Sequence, residues 1–349
     1  MLLSLPAIRS VNLTLGILLL PAFLLPAAAQ TALQPISTPD TPRDWLTRMA
    51  QAVEQRNYAG TFVYSHDDEL EAMRLVHRAD ENGGAERLVS LSGEPREIIR
   101  DGNVVKCFLP GREAVIVARG ETAMPLPASQ SLEDPALQKH YEFIDMGESR
   151  VAGRDCKIIG IKPRDEFRYG YRLCLDKKTA LPLKSELMSP TGEVIEQVMF
   201  TRLELPDSIP GKALKAQVAA DGFTWHVRHG AISPEPLVAE KSDTQTDAGA
   251  KISVDKRLTP AWQAEKLPPG FIMTHNSMER DKETPRNPKT HSWHMVYSDG
   301  LASVSVFVEP ADVAHKTLTG VAHLGAVNAY GRQLENWQLT VVGEVPAKT

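Results

Sequence analysis

The sequence predicts an α+β protein, mainly antiparallel β, divided into two domains. Three observations predict it. Short runs of alternating apolar and polar residues recur from Tyr58 onward, separated by turn residues. One well-signalled amphipathic helix precedes them, opening at Thr41. A polar stretch over 233–257 then separates these strands from a second, shorter set.

A leader comes first. Arg9 is followed by the uncharged apolar run 11–25, then by Pro26 and Ala27-Ala28-Ala29. Small residues at Ala27 and Ala29 fit an A-x-A cleavage site, so residues 1–29 are predicted to be a signal peptide and the mature chain to begin at Gln30. The apolar run is shorter than the about 20 residues that a membrane span needs. The expected location is the bacterial periplasm. The leader carries one Arg and no acid, so its removal takes the formal net charge from −5 to −6. A mildly acidic chain offers no electrostatic case for binding nucleic acid. A hydrophobic content of 42% is enough for packed cores.

The helix signal is local and specific. Thr41 suits the N-cap, Pro42 the first helical position, and Asp44 the acid of a capping box. Trp45, Met49 and Val53 recur at four-residue spacing with Leu46 beside them, a stripe that something must bury. From Tyr58 the period changes to two. Tyr58, Phe62 and Tyr64 share one parity, and Met73 and Leu75 alternate with Arg74. Turn residues follow at Asn82-Gly83-Gly84, Asp101-Gly102-Asn103, Pro110-Gly111 and Pro190-Thr191-Gly192. Asp101-Gly102 lies between Ile98-Ile99 and Val104-Val105, a hairpin signal. Further strands are predicted over 114–118, 157–161, 168–175, 183–188 and 194–200, with 121–140 as a loop carrying a short helix. The chain is expected to leave this domain over 205–211 and to add one strand over 223–227. The second domain's clearest unit is 292–298, the turn Asp299-Gly300, then 301–308. A helical or irregular stretch is expected over 311–324, then strands over 326–330 and 337–342. The predicted domains are therefore 30–205 and 259–349, joined by a strand and polar linker over 206–258.

Three cysteines, Cys107, Cys156 and Cys174, leave at least one unpaired within the chain. A hairpin centred on Asp165 would set Ile159 opposite Tyr171 and Cys156 opposite Cys174. That pair is either a disulfide, which a periplasmic location permits, or two small packing residues. Cys107 reads as a buried thiol.

Catalytic signatures are missing: there is no Gly-rich phosphate loop, no G-x-S-x-G and no C-x-x-C. His226/His229 and His291/His294 have i, i+3 spacing, but in strand-like segments such pairs point to opposite faces. His77 reads as a core histidine, and Asp67-Asp68-Glu69 as a solvated turn. No enzyme, cofactor or metal is predicted. A curved sheet with a helix laid into it can enclose an apolar cavity, here lined by Tyr58, Phe62, Tyr64, Met73 and Leu75. Alternatively, Trp45, Leu46 and Met49 fill that space as core.

Several blocks, in order, resemble the MucB/RseB family of periplasmic regulators of AlgU/RpoE-type sigma factors. They include Tyr58-Ala59-Gly60-Thr61-Phe62-Val63-Tyr64, Arg96-Glu97-Ile98-Ile99-Arg100, Phe167-Arg168-Tyr169-Gly170-Tyr171 and Leu181-Pro182-Leu183-Lys184-Ser185. The second domain contributes Leu267-Pro268-Pro269-Gly270-Phe271, Tyr297-Ser298-Asp299-Gly300-Leu301-Ala302, Val306-Phe307-Val308-Glu309-Pro310 and Val341-Val342-Gly343-Glu344-Val345-Pro346. The resemblance implies that the large domain is a LolA-like half-open β-barrel with helices, followed by a smaller α+β domain. It implies a negative regulator that binds the periplasmic domain of a MucA/RseA-type anti-sigma factor, shields it from proteolysis, and lets go on sensing the acyl chains of lipopolysaccharide or lipoproteins. The candidate partner-binding residues of the small domain are Trp293, Tyr297 and Phe307. A homodimer stays open, and a lipid or lipoprotein carrier of the LolA type is the alternative function. Two departures from the family pattern stand out. The chain stops at Thr349, where a terminal helix is expected to follow, which would leave one face of the small domain's sheet exposed. Ala180 occupies a turn position that suits Gly.

Overall fold

A computed structural model describes residues 41–80, 84–119, 135–227, 262–280, 291–311 and 318–349. The expected leader over 1–29, residues 30–40, His229 and the expected linker over 233–257 lie outside the described residues.

Helix α1 (Pro42–Gln55) begins as its residues dictate. Thr41 caps it, the Asp44 amide donates to Thr41 Oγ1 at 3.2 Å, and the Asp44 carboxylate accepts from the Thr41 amide at 3.1 Å. The strands then run β1 (Tyr58–His66), β2 (Glu69–Arg78), β3 (Ala85–Ser90), β4 (Glu97–Asp101), β5 (Val104–Leu109), β6 (Ala114–Arg119), β7 (Tyr141–Val151), β8 (Arg154–Pro163), β9 (Gly170–Asp176), β10 (Pro182–Met188), β11 (Val194–Glu204) and β12 (Thr224–Val227). They form one sheet in the order β12-β6-β5-β4-β3-β2-β1-β11-β10-β9-β8-β7. Its edges, β12 and β7, do not pair, so the sheet is half-open. Every pairing is antiparallel except β12 with β6.

Tight turns produce this meander. Asp67 and Asp68 join β1 to β2 with φ of 42° and 65°. That left-handed pair matches the right-handed twist of the strands. Helix α1 lies on the sheet, and Trp45, Leu46 and Met49 bury against Tyr58, Phe62, Met73, Leu75, Leu173 and Phe200. Each such large side chain contributes about 1.5–3 kcal/mol on burial. Ala180 takes φ 64° with its methyl fully buried in the same core. The turn therefore does use the glycine-like conformation.

The structure differs from the sequence reading in four places. Strand β7 was not expected. It is an edge strand with one neighbour, so Glu142, Asp145, Glu148 and Arg150 can face solvent without disturbing the core. The β8–β9 hairpin is centred one residue later than Asp165. Ile159 faces Leu173, not Tyr171, and Cys174 faces Ile158. The cause is the connection itself, where the Asp165 carboxylate accepts from the Phe167 amide at 3.0 Å and from Arg168 Nε at 2.9 Å. This turn starts β9 at Gly170 rather than at Arg168. Cys156 and Cys174 then sit diagonally on neighbouring strands, with Cα atoms 5.4 Å apart, and are disulfide-bonded. Third, residues 206–227 stay on the large sheet. Ile209 and Leu214 pack on Val76 and Ala85, and the Gln217 and Val218 amides donate to the buried Glu97 carboxylate at 3.0–3.1 Å.

The remaining strands are β13 (Ile272–Arg280), β14 (His291–Ser298), β15 (Ser303–Pro310), β16 (Gly320–Leu324), β17 (Val327–Leu334) and β18 (Trp337–Gly343). They make a second antiparallel sheet ordered β13-β14-β15-β18-β17-β16. The fourth difference is β16, which occupies part of the stretch expected to be helical or irregular. Pairing with β17 across the turn at Gly325 supplies its backbone partners. Phe271, Met295, Tyr297, Val308 and Val345 form the core of this sheet, with Trp262, Trp293 and Trp337 against it.

Candidate functional site

Two turns of the small sheet reach the large one, and the site lies where they meet it. The first is the β14–β15 turn. Asp299 Oδ1 accepts from the Leu301 and Ala302 amides at 2.9 and 2.8 Å, which shapes the turn. Its other oxygen, Oδ2, accepts from Arg168 Nη1 at 2.5 Å and from the Tyr141 hydroxyl at 2.9 Å. Arg168 projects from the β8–β9 connection and has no accessible surface. Its Nη2 donates to the Pro269 carbonyl at 2.5 Å, and its guanidinium lies 5.4 Å from the Tyr141 ring centre and 5.2 Å from that of Phe271. Burying an ion pair is costly unless its hydrogen bonds are complete, and here donors and acceptors match. Burial, then the Asp299 charge, pushes the Tyr141 phenol well above its ordinary range. Gly270, next to Pro269, has φ +85°, and a Cβ there would meet the His140 ring.

The second turn joins β16 to β17. Ala326 is fully buried against Tyr169 and Leu187. Its amide donates to Glu196 Oε1 at 2.9 Å, while Glu196 Oε2 accepts from the Tyr64 hydroxyl at 2.8 Å. The Gly325 amide donates to Asp67. Asn328 Nδ2 donates to the Tyr169 hydroxyl at 3.1 Å and to the Val345 carbonyl at 2.8 Å. The Asp67–Asp68 turn is thus a docking contact as well as a hairpin tip.

Beside both turns lies a cavity of about 190 Å³, whose polar lining includes Tyr64, Tyr171, Ser185, Glu196, Ser303 and Glu344. Glu344 follows β18, and its carboxylate accepts from the Tyr171 hydroxyl at 3.5 Å. The residue remains more than a third accessible, with its carboxyl group partly buried in the cavity wall. That burial, and then the Glu196 charge, pushes its pKa up to about 7. Among the described residues, the lining holds two carboxylates and two phenols, and no Lys or Arg. Such a surface accepts hydrogen bonds and favours positive charge.

The candidate residues from the sequence are distributed differently. Tyr58, Phe62, Met73 and Leu75 lie in the core, in contact with the α1 side chains, and of the five only Tyr64 reaches the cavity. Tyr297 is buried, with its hydroxyl accepting from the Ala264 amide at 3.0 Å. Trp293 packs edge-on against Trp337 at 5.3 Å. Phe307 stacks on His294 at 4.4 Å. Trp293 and Tyr297 share one parity of β14, whereas Phe307 pairs with His294 on the other. The three therefore do not make one surface. His77 stacks on Tyr58 at 4.5 Å, with Nδ1 3.0 Å from Glu86 Oε1, a core arrangement. His226 is exposed. His66, Glu69 and Glu71 bring three ligand atoms within 4.8 Å of one another at the tip of β1–β2, the one such group among the described residues. Glu71 is already paired with Arg96 at 2.6 Å.

Sequence reasoning missed Arg168, Asp299, Glu196 and Glu344 as site residues. A signal existed for three of them: each is a charged residue inside an otherwise apolar or aromatic block, at Phe167–Tyr171, Tyr297–Ala302 and Val341–Pro346.

Comparisons with known proteins agree along the chain. Residues 41–218 match the family model described as the MucB/RseB N-terminal domain, and 256–349 the MucB/RseB C-terminal domain. The chain is 33% identical to the sigma factor AlgU regulatory protein MucB of Pseudomonas aeruginosa, over 88% of this chain and 87% of that protein. It is 26% identical to the sigma-E factor regulatory protein RseB of Escherichia coli K12, over 87% and 86%. Among solved structures, the Pseudomonas aeruginosa MucA/MucB complex matches with TM-score 0.60 and 30% identity, covering 88% of this chain and 95% of that one.

Proposed function

The chain belongs to the MucB/RseB family of sigma-factor regulatory proteins, and from that premise we propose that it is a periplasmic negative regulator of an envelope-stress sigma factor. It would bind the periplasmic part of a MucA/RseA-type anti-sigma factor and shield that segment from proteolysis. The observation that carries this reading is the similarity, over nearly the whole described chain, to a relative solved in complex with MucA. The two-sheet construction supports it, because the cavity at the junction is lined by residues of both sheets.

Release on sensing lipid is the finer part of the proposal. A ligand frees the partner only if it binds the released regulator better than the bound one. The space beneath α1 is already filled by Trp45, Leu46 and Met49. An acyl chain lined by Tyr58, Phe62, Met73 and Leu75 would therefore have to displace α1. Each buried methylene offers about 0.8 kcal/mol, so several are needed to offset the loss of the α1 packing. A LolA-type carrier would need the same movement and gives no role to the small sheet.

The test is calorimetry of residues 30–349 with the periplasmic segment of the anti-sigma factor from the same organism, alongside protease digestion of that segment. Complex formation and slower digestion are expected. The absence of both complex and protection overturns the proposal.

A further inference from the structure

The cavity beside the two turns holds an electrostatic imbalance that the fold does not resolve. Glu196 comes from β11 and Glu344 from the end of β18, and the Glu196 charge disfavours ionisation of Glu344. The other titratable groups of the lining are phenols, Tyr64 from β1 and Tyr171 from β9; next to it, His66 lies opposite Glu196 in the β1–β11 ladder and tilts against the Tyr64 ring at 4.7 Å, and Asp67 accepts from the Gly325 amide beside the Ala326 amide that Glu196 holds. Both phenols are themselves pushed upward, first by burial and then by these carboxylates. Two carboxylates drawn together without a cation in the lining are costly, since nearby like charge and lost solvent both penalise the ionised form. Acceptor capacity is also left over. Each carboxylate oxygen has two lone-pair sites, and Glu196 uses one on each oxygen, for the Ala326 amide and the Tyr64 hydroxyl. The volume of about 190 Å³ is many times the ~10–15 Å³ that one water needs. Glu344 is accessible from solvent.

We propose that this cavity is the receptor for a cationic side chain, arginine or lysine, carried by the polypeptide partner. The inference rests on the anti-sigma-factor reading for the partner's identity, but the chemistry of the cavity stands by itself. A guanidinium or ammonium group supplies the donors and the charge that Glu196 and Glu344 lack. Because Glu196 also accepts from the Ala326 amide, occupation of the cavity acts directly on a contact that joins the two sheets. Entry of the cation favours ionised Glu344, so binding strengthens as pH rises through about 7.

A charge-exchange cycle tests this with residues 30–349. Each Arg and Lys of the partner's periplasmic segment is changed singly to Gln, and binding is measured to the wild-type chain and to Glu344→Gln at pH 8. One cation is expected whose neutralisation weakens wild-type binding roughly tenfold and leaves Glu344→Gln binding unchanged. If no cation couples to Glu344, the inference is overturned. In a second arm the wild-type chain is titrated with N-acetyl-arginine amide, N-acetyl-lysine amide and the neutral isostere N-acetyl-citrulline amide. Preference for the cationic probes, lost in Glu344→Gln, supports the site. Equal behaviour of all three overturns it. If the segment itself does not bind, the regulatory reading fails, and the probe arm still decides the cavity.

Discussion

At the Arg168 end of the junction a cation meets two carboxylates, a phenol ring and a backbone carbonyl, and no accessible surface remains on Arg168. At the Glu344 end two carboxylates and two phenols share an open cavity with no cation in its lining. The same residue types thus reach opposite states. The first contact is electrostatically complete and holds one pose of the two sheets. The second is incomplete, and its energy depends on protonation or on a ligand. A junction with one finished and one unfinished contact can be held together and still respond.

The largest effect expected is on the finished contact. Asp299→Ala leaves Arg168 buried with only Asp165 as a carboxylate partner and also removes the oxygen that accepts from the turn's two amides. A loss of about 3–5 kcal/mol is expected in urea unfolding followed by tryptophan fluorescence. Asp299→Asn keeps the turn acceptor and should still lose most of that stability. If it loses none, the ion pair is not what holds this end.

Next comes the disulfide, which lies in the large sheet away from both turns. Replacing Cys156 and Cys174 by Ser opens a loop of 18-residue separation and should cost about 3 kcal/mol. Affinity for the partner segment should not change once the chain is folded. A matching loss of affinity would mean that the junction depends on this hairpin.

Gly270→Ala is intermediate. The positive φ and the approach to His140 predict a loss of about 1–3 kcal/mol, because the Pro269 carbonyl must stay aligned on Arg168. Denaturation by urea would show it, and an unchanged midpoint would mean that the His140 ring simply moves aside.

The smallest effect belongs to the unfinished contact. Folding raises the Glu344 pKa from 4.5 to about 7, so the folded state binds that proton more tightly than the unfolded state. Stability from this group is therefore greatest below pH 4.5, falls as pH rises from 4.5 to 7, and is level above that. Solvent access at Glu344 keeps the magnitude small. Glu344→Gln should remove this slope. An identical pH profile in both proteins would show that Glu344 does not titrate at the junction.

Much of the fold was legible in the residues. Thr41, Pro42 and Asp44 announced α1 because capping chemistry is local to four residues. The parity of Phe62, Met73 and Leu75 announced which faces are buried, because a strand has period two. Strand β7 and the register at Cys156 were not legible. An edge strand tolerates polar residues on both faces, and a hydrogen bond from the Phe167 amide to the Asp165 side chain shifted the connection.

The sequence by itself determined the helix, most of the strands, a large and a smaller set of strands, and the family. Periodicity, turn residues and a long ordered set of blocks are properties of neighbours along a chain. Only the tertiary structure decided the site. Arg168 and Asp299 are 131 residues apart, and Glu196 and Ala326 130 apart. Whether two charges so far apart in sequence meet, and whether a third group neutralises them, depends on how two sheets pack. No local pattern encodes that.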